Sequence, residues 1–283
     1  GCDGSASILR KSIVEKANIQ YVKKPLGHGY KELTIPPLKS GKFRIEPNAL
    51  HIWPRGNHML IALPNNDCSF TCTLFFPMTG TKSFETVKTK KDILDLFQSQ
   101  FHDAIKLIPN LMEDFQKNST GDLASVYCKP WHLGDKALLI GDAAHAVVPF
   151  FGQGMNASFQ DCSTLAKLMG QNKNDWKTIF NTFSSVQVEN GHAIADMAIE
   201  NYLEMRDHVN DTEYKKRRNV ELKLERMFPG QFIPRYSMVS FHQIPYAEVY
   251  QRGGKQSKII RDVLKADPSG QSIDKAMVEK MLP

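Results

Sequence analysis

Residues 138–162 read LLIGDAAHAVVPFFGQGMNASFQDC, and no other stretch limits the fold of this chain as strongly. The apolar run at 137–140 has the length of a buried strand, and it stops at Gly141-Asp142, where Ala143 and Ala144 allow close backbone approach. A carboxylate at a strand end is placed to accept hydrogen bonds from a ligand's hydroxyls. Pro149-Phe150-Phe151 then sets two aromatic rings beside Gly152-Gln153-Gly154, whose glycines admit positive φ and let a flat ligand reach the backbone. A helix opening at Asn156, with Ala157, Phe159, Leu165 and Leu168 inward, would aim its free N–H groups and positive dipole end at whatever lies over the glycine loop. Taken alone, a glycine pair before a helix also fits a plain turn and cap. The strand–Gly–Asp unit in front of it favours a ligand loop.

The rest of the chain is globular in character. Its 283 residues are 41% hydrophobic and 23% charged, which suits one large or two modest domains and excludes disorder, collagen and coiled coil. No apolar run reaches the roughly 18–20 residues of a membrane-spanning helix. The net charge of +6 is a mild excess that favours anionic cofactors and falls short of a nucleic-acid footprint. Five scattered cysteines (2, 68, 72, 128, 162) form no C-x-x-C pair and read as reduced thiols in a reducing compartment. The nine histidines include no H-x-x-x-H or H-E-x-x-H, so no metal site is expected; His145 is given a structural part only.

Strand and helix signals segregate along the chain. A short helix is expected to end near Asn18. YKELTIPPL, ALHIWPR, HMLIALP and SFTCTLFFP between 30 and 77 read as an antiparallel meander with hairpin turns at PRGNH and PNNDC. Ile93, Leu94, Phe97 and Phe101 recur at helical spacing, and a second apolar set (Ile105, Leu107, Ile108) stops at Pro109. Helical patterns dominate from Asn156 to about Met227 with a break near Gly170-Gln171-Asn172. Beyond Pro229 come Pro-interrupted aromatics and a final short amphipathic helix. The fold class is α+β. The chain opens in a glycine-rich turn without an initiator methionine, and the expectation is a natural polypeptide that starts further upstream.

GDAAH…PFFGQGMN…DC resembles the second flavin-binding motif of the single-component, NADPH-dependent aromatic hydroxylases, the family of p-hydroxybenzoate hydroxylase. Gly1-Cys2-Asp3-Gly4-x-x-Ser7-x-x-Arg10 resembles that family's middle motif. LHIWPRG, MLIALPN, SFTCTLFFP and ENYLEMRD are similar to its L-kynurenine-hydroxylating branch, in register from Gly1 to about Tyr246. The family's opening βαβ unit with G-x-G-x-x-G has no counterpart in this chain.

The resemblance implies FAD and NADPH as cofactors, O₂ as co-substrate, and oxygen delivery to the ring carbon ortho to the amine of L-kynurenine through a C4a-hydroperoxyflavin, giving 3-hydroxykynurenine. It implies an α/β FAD-binding fold of the aromatic hydroxylase type, truncated: 1–20 and 121–170 as the C-terminal part of the FAD-binding domain, 21–120 as an antiparallel substrate-binding sheet, and 171–283 as a C-terminal helical region. Cofactor contacts carried over by motif are Asp3, Gly4 and Arg10 near the pyrophosphate, Gly141 and Asp142 at the ribityl chain, and Gly152, Gly154, Met155 and Asn156 at the flavin ring. Substrate contacts are Pro149, Phe150, Gln153, Asn201, Tyr236, Phe70, and Glu204 one turn on from Asn201 along the same helix face.

Without the resemblance, Asn201 and Glu204 read as a solvated helix face, Tyr236 as a core or rim residue and Phe70 as core. The run Lys215-Lys216-Arg217-Arg218 reads as a solvated face, with an anionic membrane surface or the NADPH 2′-phosphate as other readings. The end, DPSGQSIDKAMVEKMLP, is too polar to span a membrane. It favours a cytoplasmic form over the mitochondrial outer-membrane form that the resemblance also admits. The rival readings are a flavin hydroxylase for another aromatic acid, and a non-catalytic portion that needs the missing FAD-binding half.

Overall fold

The computed structural model describes residues 1–17, 19–173, 175–208 and 211–282. In chain order the elements are α1 (Ile8–Ala17), β1 (Gln20–Ile35), β2 (His51–Pro54), β3 (Met59–Pro64), β4 (Phe70–Pro77), α2 (Lys90–Gln100), α3 (Leu111–Lys117), β5 (Gly121–Lys129), β6 (His132–Leu133), β7 (Ala137–Leu138), α4 (Asp142–His145), α5 (Gly154–Asn172), α6 (Trp176–Leu203), α7 (Thr212–Met227), α8 (Arg235–Phe241), α9 (Tyr246–Ala266) and α10 (Lys275–Glu279). Asn18, the expected end of the first helix, lies outside the described residues. The chain divides into two units: Gly1–Lys24 with Ala124–Tyr202 and Asn210–Pro283, and Pro25–Leu123 with Leu203–Val209. The helices beyond 171 therefore share the first unit with the opening turn and the glycine loop.

In the second unit two tight turns pin three strands. Arg55 N donates to His58 O (2.9 Å) around Gly56, and Asn65 N donates to Ser69 O (2.8 Å), at the two hairpins read from the sequence. The expected meander is corrected at its first strand. The sheet order is β2-β3-β4-β1-β5, and β1 runs antiparallel to β4, from His28 opposite Pro77 to Ile35 opposite Phe70. Short hairpins force β2, β3 and β4 to be neighbours. The long Pro-rich connection at 36–50 imposes no such adjacency, so β1 lies on the far side of β4, between β4 and β5.

β4 is buried almost throughout, and Phe70, Leu74 and Phe76 pack with Ile93, Phe97, Phe101 and Phe115 into one core. Thr89 and Asp92 form a reciprocal capping box that starts α2. Leu94, expected inward, is exposed, since Ile93, Leu96 and Phe97 already fill the buried stripe. The apolar set at 105–108 forms a 3-10 turn over Ile105–Leu107.

The cores of the first unit include two among the described residues. Ile13, Trp131, Leu139, Phe183 and Val188 form one, and Val220, Leu224, Phe232, Ile259 and Val263 the other. Trp131 is fully buried, and its indole N–H donates to Cys128 O (2.8 Å). Gly191 lets α6 approach it: a Cβ there would lie 2.8 Å from the indole ring. The strand expected at 137–140 is regular only over Ala137–Leu138. Its direction continues through Leu139 N donating to Trp131 O (2.7 Å) and Ile140 N to Gly1 O (2.9 Å). The helix break falls where expected, with Lys173 in the left-handed region closing α5.

Two further expectations change. α5 begins at Gly154 rather than Asn156, and Phe159 is 61% exposed because Ala157, Asp161, Leu165 and Leu168 take the inward stripe. The tail also holds a 21-residue helix, α9, where only a short one was expected. Along the basic run, Lys216 pairs with Glu213 (3.6 Å) and Arg218 with Glu221 on α7. Among the described residues no helix is long and apolar enough to cross a membrane.

Candidate functional site

Two turns meet at one end of the first unit. The Asp3 carboxylate accepts from Ser7 Oγ (2.6 Å), Ile8 N (2.8 Å) and Leu9 N (3.2 Å), so it closes the N-terminus of α1. The Ser7 hydroxyl and these amides hold the Asp3 carboxyl down at about 2. Gly4 turns the chain at φ +81°. The bond from Ile140 N to Gly1 O sets this turn beside the end of the strand that leads into Gly141-Asp142.

Arg10 ties the two turns together. Its guanidinium, 5% exposed, donates to Ser5 O (2.5 Å), to Ala143 O (2.8 Å) and to Asp142 O (3.4 Å). It was expected as a cofactor contact; in the structure its donors go to backbone carbonyls that build the site. Gly141 sits at φ +61° and ψ −148°, a region open in practice to glycine, and a Cβ would lie 3.1 Å from Ser158 Oγ. The Asp142 side chain beyond it is exposed.

The aromatic loop follows. Pro149 opens a 3-10 turn over Pro149–Phe151, and Gly152 leaves it in the left-handed conformation (φ +64°). Phe150 stacks on Tyr202 with ring centroids 4.1 Å apart, and Asn201 Nδ2 donates to Phe150 O (2.7 Å). Asn201 thus fixes the loop from α6. Phe151 stacks on Tyr236 (5.6 Å), whose ring is 46% exposed at the rim. Gln153 is buried. Its Oε1 accepts from Tyr246 OH (2.9 Å) and Asn156 Nδ2 (3.1 Å), while burial pushes the Tyr246 phenol up to about 12 and keeps it a donor.

α5 starts with no side-chain cap at Gln153, and its first intrahelical bond is Ala157 N to Gln153 O (2.8 Å). The amides of Gly154, Met155 and Asn156 therefore form the positive end of a 19-residue helix. A groove of about 390 Å³ beside them is lined by Gln153, Asn156, Gln160, Phe241 and Tyr246.

The structure thus brings together Asp3, Gly4, Arg10, Gly141 and Asp142, and separately Pro149, Phe150, Gly152, Gln153, Gly154, Met155, Asn156, Asn201 and Tyr236, all in the first unit. Phe70 and Glu204 lie in the second unit. Phe70, expected as an apolar wall of the site, is fully buried in the core of the second unit, edge-on to Phe43 and His51 (5.6 Å each). Glu204 opens a π-helical segment, Glu204–His208, at the point where α6 ends, so it does not continue a regular face from Asn201.

Sequence reasoning did not single out Asp161. It is 1% exposed and accepts from Gly141 N (2.8 Å), His145 Nε2 (2.7 Å) and Gln187 Nε2 (2.9 Å). The available signal was a carboxylate at an inward helix position.

The family model described as "FAD binding domain" matches residues 1–178. The chain is 47% identical over 274 residues to the kynurenine 3-monooxygenase of Myxococcus xanthus (strain DK1622), covering 97% of this chain and 59% of that protein. It is 45% identical over 266 residues to the kynurenine 3-monooxygenase of Sus scrofa, covering 93% of this chain and 56% of that protein. It thus spans less than two thirds of these relatives' length. Among solved structures, Klebsiella pneumoniae HpxO complexed with FAD and uric acid aligns with a TM-score of 0.60 at 16% identity, over 95% of this chain and 59% of that one. The tetrameric form of 2-methyl-3-hydroxypyridine-5-carboxylic acid oxygenase aligns with a TM-score of 0.58 at 17% identity, over 76% and 56%. These two likenesses establish the fold.

Proposed function

This chain belongs to the FAD-binding-domain family, and on that premise we propose that it serves the FAD- and NADPH-dependent hydroxylation of L-kynurenine to 3-hydroxykynurenine. The observation that carries the reading is the uncapped start of α5 behind the Gly152–Gly154 loop, in the same unit as the Gly141-Asp142 turn. The 47% identity to a kynurenine 3-monooxygenase supports the choice of substrate. The residues fit a flavin. Gly152 is exposed and left-handed and leaves backbone open to a flat ligand, while buried Gly141 turns the chain into the exposed Asp142. The amides of Met155 and Asn156 would hold the electron-rich edge of the ring, and the exposed Asp142 carboxylate would accept from ribityl hydroxyls.

When bound, FAD reduced by NADPH supplies the activation of O₂ and the transfer of one oxygen atom to the substrate, the other leaving as water. The protein's share is positioning. Asn201 holds the Phe150 carbonyl, Tyr202 backs the Phe150 ring, and Tyr236 with Phe151 forms an aromatic rim. An apolar rim excludes water and holds an aniline ring in one orientation, which suits a ring that is already electron-rich.

The test has two parts. FAD fluorescence is titrated with the purified chain, with and without L-kynurenine. The chain is then joined to the part of the Myxococcus xanthus relative that lies outside the match, and the product is identified chromatographically. Formation of 3-hydroxykynurenine with matching NADPH consumption is expected. A joined protein that binds FAD and hydroxylates p-hydroxybenzoate but not L-kynurenine would sink the substrate assignment.

A further inference from the structure

One carboxylate, Asp161, ends a partly buried chain of polar side chains in the first unit. Ala247 N donates to Asn190 Oδ1 (3.1 Å), Asn190 Nδ2 to Gln187 Oε1 (3.0 Å), and Gln187 Nε2 to Asp161 Oδ1 (2.9 Å). From the other side, Gly141 N (2.8 Å) and His145 Nε2 (2.7 Å) both donate to Asp161 Oδ2. Asp161 and His145 are 1% and 2% exposed, and the His145 ring is stacked on Trp131 at 4.9 Å.

A carboxylate is acceptor-only, so it fixes the direction of each bond in this chain. Both ends of the chain reach segments of the proposed flavin site. Gly141 and His145 bracket α4, which begins with Asp142. Ala247 follows Tyr246, whose hydroxyl sets the Gln153 amide at the start of α5.

We propose that Asp161 is the positioning residue of the flavin cradle, the shared acceptor that holds the Gly141-Asp142 turn and the Tyr246–Gln153 contact in register. The inference rests on the flavin reading given above. It assigns Asp161 no contact with flavin or substrate.

The direction of the bonds yields a test that packing alone would not pass. In Asp161→Asn, the one remaining oxygen can serve Gly141 and His145, and the new amide then faces the Gln187 amide donor. Turning Gln187 over moves the donor–donor conflict on to Asn190. Adding Gln187→Glu removes it: the glutamate accepts from both Asn190 and the new amide, and every donor again has an acceptor.

FAD affinity is measured by fluorescence quenching for the full 283-residue chain and the two variants. Hydrogen exchange at the Gly141 amide and at the Ala195 amide, within α6, is measured alongside. Asp161→Asn is expected to raise the dissociation constant by about tenfold or more and to release Gly141 from protection while Ala195 stays protected. Asp161→Asn with Gln187→Glu is expected to recover affinity to within about threefold and to restore protection.

Affinity within about twofold of the parent in the single variant, or a double variant no better than the single, overturns the proposal. If Asp161→Asn does not fold, recovery of folding in the double variant supports it, and an unfolded double variant overturns it. If the parent chain binds no FAD, the cofactor reading on this chain fails, and exchange at Gly141 decides the Asp161 assignment alone: protection in the parent that is lost in the single variant and restored in the double supports it, and any other pattern overturns it.

Discussion

Lowering the pH should destabilise the second unit through His58. The ring is 3% exposed, edge-on to Phe76 (5.2 Å) and Phe101 (5.8 Å), and its Nδ1–H donates to Asn57 Oδ1 (3.0 Å). That leaves Nε2 as a buried acceptor with no hydrogen-bond partner among the described residues. Burial first, then the charges of Lys82, Arg55, His28 and Arg206, pull the His58 imidazole from 6.5 down to about 4.

The folded form therefore keeps His58 neutral in a range where the unfolded chain protonates it. No stability is lost above the unfolded pKa. As pH falls from about 6.5 towards about 4, the unfolded state binds a proton the folded state refuses, and stability drops. Near pH 4.5 the loss amounts to about 2.5 kcal/mol relative to neutral pH, or about 2 kcal/mol once solvent screening of the neighbouring cations is allowed for.

His58→Leu removes the titrating group and the orphaned nitrogen, at the expense of one hydrogen bond, so at neutral pH it should change stability by no more than about 1 kcal/mol. The assay is urea unfolding of parent and variant near pH 7 and near pH 4.5, followed by hydrogen exchange at β3 and β4 amides, which lie in the unit that holds His58. Other groups titrate in both proteins and cancel in the comparison. The acid-induced loss should be smaller in His58→Leu by about 2 kcal/mol. Equal losses in the two proteins, within about 0.5 kcal/mol, would refute the reasoning.

Three other outcomes follow from the packing. Gly191→Ala places a Cβ 2.8 Å from the fully buried Trp131 ring and 3.0 Å from His145 Cβ; thermal unfolding should show a loss of about 1–3 kcal/mol. Burial pushes the Cys72 thiol up to about 12 and the Cys128 thiol to about 11, whereas Cys2 and Cys162 are exposed. Iodoacetamide near pH 8 should therefore alkylate Cys2 and Cys162 in the native chain and spare the other two, as read by peptide mass spectrometry. In the joined enzyme, Tyr236→Phe or Asn201→Ala should raise KM for L-kynurenine, and unchanged steady-state kinetics in both would remove these residues from the site.

Much of the site could be read from local sequence because its parts are local. Gly141-Asp142, Pro149-Phe150-Phe151 and Gly152-Gln153-Gly154 each announce a backbone conformation within a few residues, and the two hairpins at 54–58 and 64–68 do the same for β2, β3 and β4. What escaped was set by distant partners. β1 finds β4 across a long connection whose composition says nothing about its destination. Phe159 looks inward by hydropathy, yet its place is taken by Asp161, which is tolerated there only because three donors converge on it from α4 and α6. α9 was hidden by Gly253-Gly254. Gly253 is explained by the Arg235 side chain, whose Cδ would lie 2.8 Å from an added Cβ. Arg10 matched a motif, but its task of joining three carbonyls is visible only once residues 5, 142 and 143 are together in space.

The division of the first unit into three sequence segments has a bearing on how the chain is made. α1 leaves the ribosome roughly 170 residues ahead of the α6 segment that buries Ile13, and at about 5–20 residues per second that interval lasts on the order of ten seconds or more. During it, residues 25–123 already contain almost everything the second unit needs, so that unit can close while its host is still incomplete. The apolar face of α1 is then a surface at risk, and a chaperone acting on this protein would meet it before the α6 residues that cover it have been made.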